Sequence, residues 1–184
     1  YTIGSYLAED SSEKIDEDHK EFNMSYQKVE ARIKKLISIE GKRTVDNFHR
    51  ELGNVLWEYC GMSRNNSGLK KAKKLIKELR AEYWENVLVG GSDQDFNQSL
   101  ERAWRVADFL EFGELMVTDA LERQESCGGH FNEKFQTGEN EALRDDKHFC
   151  HVSAWEFNGD KRKPKFHKEP LTFENVELTQ RSYK

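Results

Sequence analysis

The chain has 184 residues, a formal net charge of −5, 36% hydrophobic residues and 34% charged residues. That ratio suits amphipathic helices with solvated outer faces, or a piece of something larger. Four tryptophans and 11% aromatic residues exclude a disordered polymer, the acidic balance gives no reason to expect nucleic acid as a partner, and no apolar run approaches the roughly 20 residues that span a bilayer.

Residues 1–17 read as a linker. Tyr1-Thr2-Ile3-Gly4-Ser5 has neither the basic nor the apolar region of a signal peptide, and a start without Met suggests a cut point at Tyr1. Residues 18–124 read as a helical bundle. A first helix over about 18–39 carries Phe22, Tyr26, Val29, Ile33, Leu36 and Ile37 at three- and four-residue spacing, with Gly41 as its stop. Thr44 caps a second helix with Val45, Phe48, Leu52, Val55 and Leu56 on one face. Gly61 and the polar run from Ser63 to Gly68 end it.

A third helix begins near Ser67 and buries Leu69, Ala72, Ile76, Leu79 and Tyr83. It stops before Gly90-Gly91-Ser92. The fourth, over about 95–123, has a near-heptad seam of Phe96, Leu100, Ala103, Ala107, Leu110, Val117 and Leu121. Short connections between long amphipathic helices give antiparallel neighbours, hence a mainly α, up-and-down bundle of three to four helices, spectrin-repeat-like in outline. Trp57, Tyr83 and Leu110 are expected to be at least partly buried.

Residues 125–184 form an irregular tail. Glycines and both prolines, Pro164 and Pro170, punctuate it. The run from His148 to Phe157 reads as a strand, Asn158-Gly159-Asp160 as its turn, and Phe166-His167 as the returning strand. A two-stranded ribbon cannot stabilise itself in water, so it is expected to pack on another surface.

Cys127 and His130, with His148, Cys150 and His151, have zinc-like spacing. The first pair straddles two glycines, however, and on a strand His148 and Cys150 share a face that His151 does not, so a metal is not expected. Asp145 and Asp146 project to opposite sides of an extended segment, which favours pairing with Arg144 or capping a turn. His49-Arg50-Glu51 lacks the second imidazole of H-E-x-x-H, since position 53 is Gly. Gly41-Lys42-Arg43-Thr44 is no P-loop, with Leu at position 36. Lys70, Lys73, Lys74 and Lys77 make a basic stripe that reads as a solvated face. Three widely spaced cysteines, Cys60, Cys127 and Cys150, imply free thiols in a reducing compartment.

Several stretches carry a family likeness: Phe48-His49-Arg50-Glu51-Leu52-Gly53 through Arg64-Asn65, Arg105-Val106-Ala107-Asp108-Phe109-Leu110-Glu111, Glu125-Ser126-Cys127-Gly128-Gly129-His130, Arg144-Asp145-Asp146 and Thr179-Gln180-Arg181-Ser182-Tyr183-Lys184. In order and spacing they resemble the C-terminal part of the flavoprotein subunit of succinate dehydrogenase and fumarate reductase. Many members have Arg-Gly-Ala where this chain has Cys127-Gly128-Gly129, so no role is carried over to position 127. L-aspartate oxidase, which shares the architecture, is a neighbouring alternative, and a free-standing helical interaction module is a third.

The resemblance implies a parent that interconverts succinate and fumarate through FAD and passes electrons to an iron–sulfur subunit and quinone. Tyr1-Thr2-Ile3-Gly4 resembles the exit from the flavin-binding domain. The chain itself has no G-x-G-x-x-G fingerprint, and the resemblance places the flavin and substrate residues upstream. No catalytic, cofactor-binding or metal residue is therefore expected here. Expected partners are the flavin-binding and capping domains, the iron–sulfur subunit and, indirectly, membrane-anchor subunits. The expected location is cytoplasmic, peripheral at the inner face of the cytoplasmic membrane. The expected role is structural, with tail residues His130, Arg144, Asp145, Asp146, Phe149, Trp155, Phe166 and Arg181 serving docking within the tail or against the flavin domain.

Overall fold

The computed structural model describes residues 2–9, 16–93, 96–159 and 162–179; Arg181, Asp160 and Asp95 lie outside them. Its core is built by three antiparallel helices. In α3 (Val45–Cys60), Val45, Phe48, Leu52 and Val55 are buried. In α4 (Asn66–Asn86), Leu69, Ala72, Ile76, Leu79 and Tyr83 are buried. In α5 (Gln98–Glu122), Ala103, Val106, Ala107, Leu110, Val117 and Ala120 are buried. Each start is fixed by a side-chain oxygen that accepts an otherwise orphaned amide: Thr44 Oγ1 from Asn47 at 3.3 Å, Asn65 Oδ1 from Gly68 at 2.8 Å, and Asn97 Oδ1 from Leu100 at 3.0 Å.

The cap at Asn97 corrects one expectation. Phe96 lies before the helix and is exposed, so the seam starts at Leu100. A second correction concerns Trp57, which is 84% exposed. It follows Phe48 by nine residues, and at about 100° per residue that places it on the opposite side of α3 from the core. Helical period outranks side-chain type here. Tyr83 and Leu110, by contrast, are fully buried.

The linker region includes a helix, α1 (Thr2–Glu9), with no buried residue. α2 (Lys20–Ile37) joins the bundle by its C-terminal half only. Leu36 is in the core, Arg32 bonds Asp108 at 2.5 Å and lies over the Trp104 ring, and Lys35 lies over Trp84. Phe22, Tyr26 and Val29, expected on the packed face, are exposed. The stripe is continuous along the helix, but the bundle covers only its end.

Two short strands not expected from the sequence, β1 (Arg43–Thr44) and β2 (Val87–Leu88), pair in parallel and tie the start of α3 to the end of α4. Arg43 reinforces the tie with Glu51 and with Glu82 at 2.9 Å. Gly41, expected as the stop of the first bundle helix, does not play that part, since α2 ends at Ile37 with Ser38 as its C-cap; it is glycine for another reason, because a Cβ there would collide with the backbone of Asn86 and Val87. Backbone cannot swing aside as a side chain can, so Gly41→Ala is expected to cost about 1–3 kcal/mol. Urea denaturation measures it, and an unchanged midpoint would show that this crossing is pliable.

The tail begins with turns and isolated bridges. It continues as α6 (Asp146–Phe149), β3 (His151–Glu156) and β4 (Lys165–Pro170). The two strands form an antiparallel ribbon with Trp155 opposite Phe166 and His151 opposite Pro170. The strand starts three residues later than expected, because Asp145 caps the single turn of α6. His148 and Cys150 therefore do not share a strand face. Gly159, with φ of 97°, turns the chain beyond β3 in a conformation that glycine adopts without strain.

Candidate docking surface in the C-terminal tail

As the chain leaves α5 it folds into a knot of buried polar groups. Glu125 is 2% exposed. Its Oε1 accepts from Arg123 Nε and Nη2 at 2.9 and 2.7 Å, and its Oε2 accepts from the Asp145 amide at 2.9 Å. Both oxygens of the carboxylate are thus partnered, the condition for holding such a charge out of water. Ser126 Oγ accepts from the Asn132 amide and donates to the Asn132 carbonyl. Asn132 Nδ2 reaches back to Asn66 Oδ1 at 3.1 Å.

Between them, Cys127 and His130 close a turn with reciprocal backbone bonds. Gly128 takes a φ of 57°, a left-handed conformation that suits glycine. The turn sets His130 against the junction of α3 and α4. Its Nε2 lies 2.9 Å from the Arg123 carbonyl and must donate. Nδ1, 2.8 Å from Arg64 Nη1, therefore accepts, which fixes the neutral ring and its tautomer. Arg64 Nε also bonds the Cys60 and Gly61 carbonyls at the end of α3, groups the helix leaves unsatisfied. Its backbone pairs with Phe131 and Glu133. Arg64 is thus the rivet between bundle and tail.

Burial lowers the His130 pKa, and the nearby Arg64 and Arg123 push it the same way against the bond to the Arg123 carbonyl. A group with a lowered folded value contributes stability that is present above the ordinary histidine pKa of about 6.5 and is lost as pH falls through the folded value. Below about pH 6.5 the chain is expected to lose up to ~1.4 kcal/mol per pH unit relative to His130→Gln. Urea midpoints measured between neutral and mildly acidic pH test this. Parallel curves for the two proteins would remove His130 as the cause.

The other candidates are also engaged within the chain. Arg144 grips Asp146 through Nε and Nη2 at 2.6–2.9 Å and donates Nη1 to the Thr179 carbonyl at 3.1 Å. Asp145 caps α6 and contacts the His148 ring. Pairing with Arg144 and capping a turn, expected as alternatives for the two aspartates, thus both occur. Trp155 Nε1 donates to Asp119 Oδ1 of α5 at 2.7 Å, and its ring stacks on Phe166 at 4.5 Å. Phe149 sits near His151, and Lys168 extends over both Phe149 and Phe166. A cavity of about 240 Å³ between the ribbon and the end of α5 is lined by Asp119, Arg123, Phe149, His151, Val152 and Ser153.

The zinc-like constellation is not assembled. Among the described residues no group of three or more His, Cys, Asp or Glu side chains is placed to hold a metal. Both nitrogens of His130 are already committed to Arg64 and Arg123. Lys77 pairs with Glu114 at 3.5 Å and Lys74 with Glu78 at 3.8 Å, which divides the basic stripe of α4. No helix among the described residues is long and apolar enough to cross a membrane. Sequence reasoning missed Arg64, Glu125, Ser126 and Asn132. They follow no period, and Arg64, Glu125 and Ser126 stand out in the sequence only as part of the family likeness.

Comparison with known proteins places this geometry. Residues 49–183 match the family described as fumarate reductase flavoprotein C-term. The chain is 31% identical over 135 residues to a fumarate reductase flavoprotein subunit of Helicobacter pylori, covering 70% of this chain and 18% of that protein. It is 36% identical over 86 residues to an L-aspartate oxidase of Nicotiana tabacum, covering 47% of this chain and 13% of that protein. The fold superposes on that of Escherichia coli quinol fumarate reductase with a TM-score of 0.77 at 20% identity, covering 92% of this chain and 28% of that one. The chain thus spans less than a third of the proteins it matches. It belongs, by its helices and its tail together, to the succinate dehydrogenase and fumarate reductase flavoprotein family, as a C-terminal domain.

Proposed function

We propose that this chain is the structural C-terminal domain of an FAD-dependent flavoprotein that interconverts succinate and fumarate. In this reading the flavin and dicarboxylate chemistry belongs to the remainder of the parent protein, and the present residues hold no catalytic group. Electrons pass through an iron–sulfur subunit to quinone, with the complex at the inner face of the cytoplasmic membrane. His130, Arg144, Asp145 and Asp146 act as internal clamps that fix the tail's path. Phe149, Trp155 and Phe166 anchor the ribbon, and Arg181 serves the same docking.

One observation carries the structural role. Among the described residues no buried side-chain nitrogen or oxygen lacks a hydrogen-bond partner. Sites that bind polar substrates keep groups aimed at an open cleft, whereas here Glu125, Ser126, His130 and Asn132 bond one another's segments. The test is direct. The purified 184-residue chain should bind no FAD and reduce no dye with succinate, whereas a parent flavoprotein carrying these residues should do both. A yellow, succinate-active fragment overturns the proposal.

L-aspartate oxidase is the second reading, favoured by the 36% identity to the tobacco enzyme. The match to the fumarate reductase subunit is longer, 135 residues against 86, which supports the first reading. Oxidation of L-aspartate but not succinate by the parent would reverse the choice.

A further inference from the structure

Most polar side chains at the start of the tail bond one another, but those around the cavity between the ribbon and the end of α5 do not. The cavity has a volume of about 240 Å³, room for roughly eight waters at ~30 Å³ each. Its polar lining comes from Asp119, Arg123, His151 and Ser153, with Phe149 as an aromatic wall. A concave space with a few convergent polar groups is the form that small-ligand sites take.

Asp119 and Arg123 stand one helical turn apart at the end of α5, where the Arg123 amide donates to the Asp119 carbonyl at 3.1 Å. At that spacing, with about 5–6 Å between Cβ atoms, a carboxylate and a guanidinium normally pair. Here each is drawn aside by a different group. Asp119 Oδ1 accepts from Trp155 Nε1 at 2.7 Å, which leaves Oδ2. Arg123 turns Nε and Nη2 to Glu125 Oε1, which leaves Nη1. A negative and a positive group thus border one space without neutralising each other. On the ribbon side, neither the His151 imidazole nor the Ser153 hydroxyl makes a hydrogen bond among the described residues. The His151 ring lies 6.0 Å from that of Phe149. All four polar groups are at least partly exposed, so they stand outside the self-satisfied buried set of Glu125, Ser126, His130 and Asn132.

We propose that this cavity is a binding site for a free L-α-amino acid. The ammonium sits on Asp119 Oδ2, the carboxylate spans Arg123 Nη1 and the Ser153 hydroxyl, and the side chain lies against Phe149 and His151. Hydrogen bonds between ionised partners are the short, strong ones. In an α-amino acid the two charged groups are carried on neighbouring atoms of one carbon centre, as the narrow gap between Asp119 and Arg123 requires. The site does not depend on the flavin chemistry proposed for the remainder of the parent.

Other ligand classes match less of the lining. A dicarboxylate or phosphate meets Arg123 but is repelled by Asp119, and a plain cation meets the reverse. A metal ion would find only Asp119 and His151, fewer ligands than a stable site uses, and no larger metal-holding group exists among the described residues. An apolar molecule would strip water from four polar groups and replace none of their hydrogen bonds.

The experiment is a proton–nitrogen NMR titration of the 184-residue chain with each standard L-amino acid in turn, and with acetate and methylamine as the two half-ligands. At least one amino acid is expected to saturate with a Kd of about 1 mM or tighter. It should shift the Trp155 indole signal and the amides of residues 119–123 and 151–153, with acetate and methylamine binding about tenfold more weakly or less. Asp119→Asn keeps an acceptor for Trp155 and removes the charge, so it should weaken binding about tenfold or more while the rest of the spectrum is retained. Ser153→Ala, at an exposed position, should weaken it severalfold. No saturable shift with any amino acid marks the cavity as a water pocket and overturns the proposal. So does acetate or methylamine binding as tightly as the best amino acid, or Asp119→Asn binding undiminished.

Discussion

Tyr83→Ala should lower the stability of the chain by about 3–5 kcal/mol, the largest single loss expected. The ring is fully buried, meets Phe48 edge-on at 5.1 Å and Trp84 at 5.6 Å, and its hydroxyl donates to the Ala103 carbonyl of α5 at 2.5 Å. One side chain therefore links α3, α4 and α5, and its removal leaves a void where all three meet. Burial also pushes the Tyr83 pKa well above the ordinary tyrosine value, so the hydroxyl stays a donor throughout the neutral range. Tyr83→Phe keeps the ring and isolates the hydrogen bond, worth about 0.5–1.5 kcal/mol. Thermal and urea unfolding of both variants measure the difference. A loss below about 1 kcal/mol for the alanine variant would mean that the three helices close over the void.

Arg64→Ala is expected to cost about 2–3 kcal/mol, the range for losing hydrogen bonds made by a charged group. The variant strips the Cys60 and Gly61 carbonyls of a donor and leaves His130 Nδ1 unpartnered. The loss is directional: the segment from Glu125 to Glu133 should loosen, while the α3–α5 core holds. Limited chymotrypsin digestion reads this at Phe131, with cleavage there preceding any cut in the bundle. Arg64→Lys should recover only part of the loss, because an ammonium cannot reproduce the planar fork. If the alanine variant is digested no faster than the parent sequence, the rivet lies elsewhere, in the Glu125 or Asn132 bonds.

How far the molecule could be read from its residues depends on the kind of signal. α3 was legible to the residue at its start because Thr44 is a strong cap placed just before Val45 and Phe48. The buried faces of α4 and α5 followed from spacing alone. The same logic failed for α2. Spacing reports which residues share a face, not how far a partner extends along it, so Phe22, Tyr26 and Val29 looked like core and are not. Trp57 misleads for the opposite reason: its bulk suggests burial, while its angular position on α3 turns it away from the core. In the tail, the capping role of Asp145 is legible in the sequence, but its consequence, a helical turn that delays β3 to His151, is not, because a single turn carries no apolar period. The polar knot of Glu125, Ser126, His130 and Asn132 is tied by hydrogen bonds to Arg64, Asn66 and Asp145, distant in sequence, and such contacts leave no periodic trace.

Arg64 and His130 are 66 positions apart, but the polypeptide between them is largely the α4–α5 hairpin, two adjacent helices packed on each other. Closing the tail onto the bundle therefore waits until that hairpin has brought its ends together; before then, the loop entropy has no compensating contact. A contact made that late is absent at the folding barrier, so its strength sets how long the native state lasts rather than how quickly it forms. The Arg64–His130 junction is in this sense a latch: weakening it should hasten unfolding and leave the refolding rate nearly untouched.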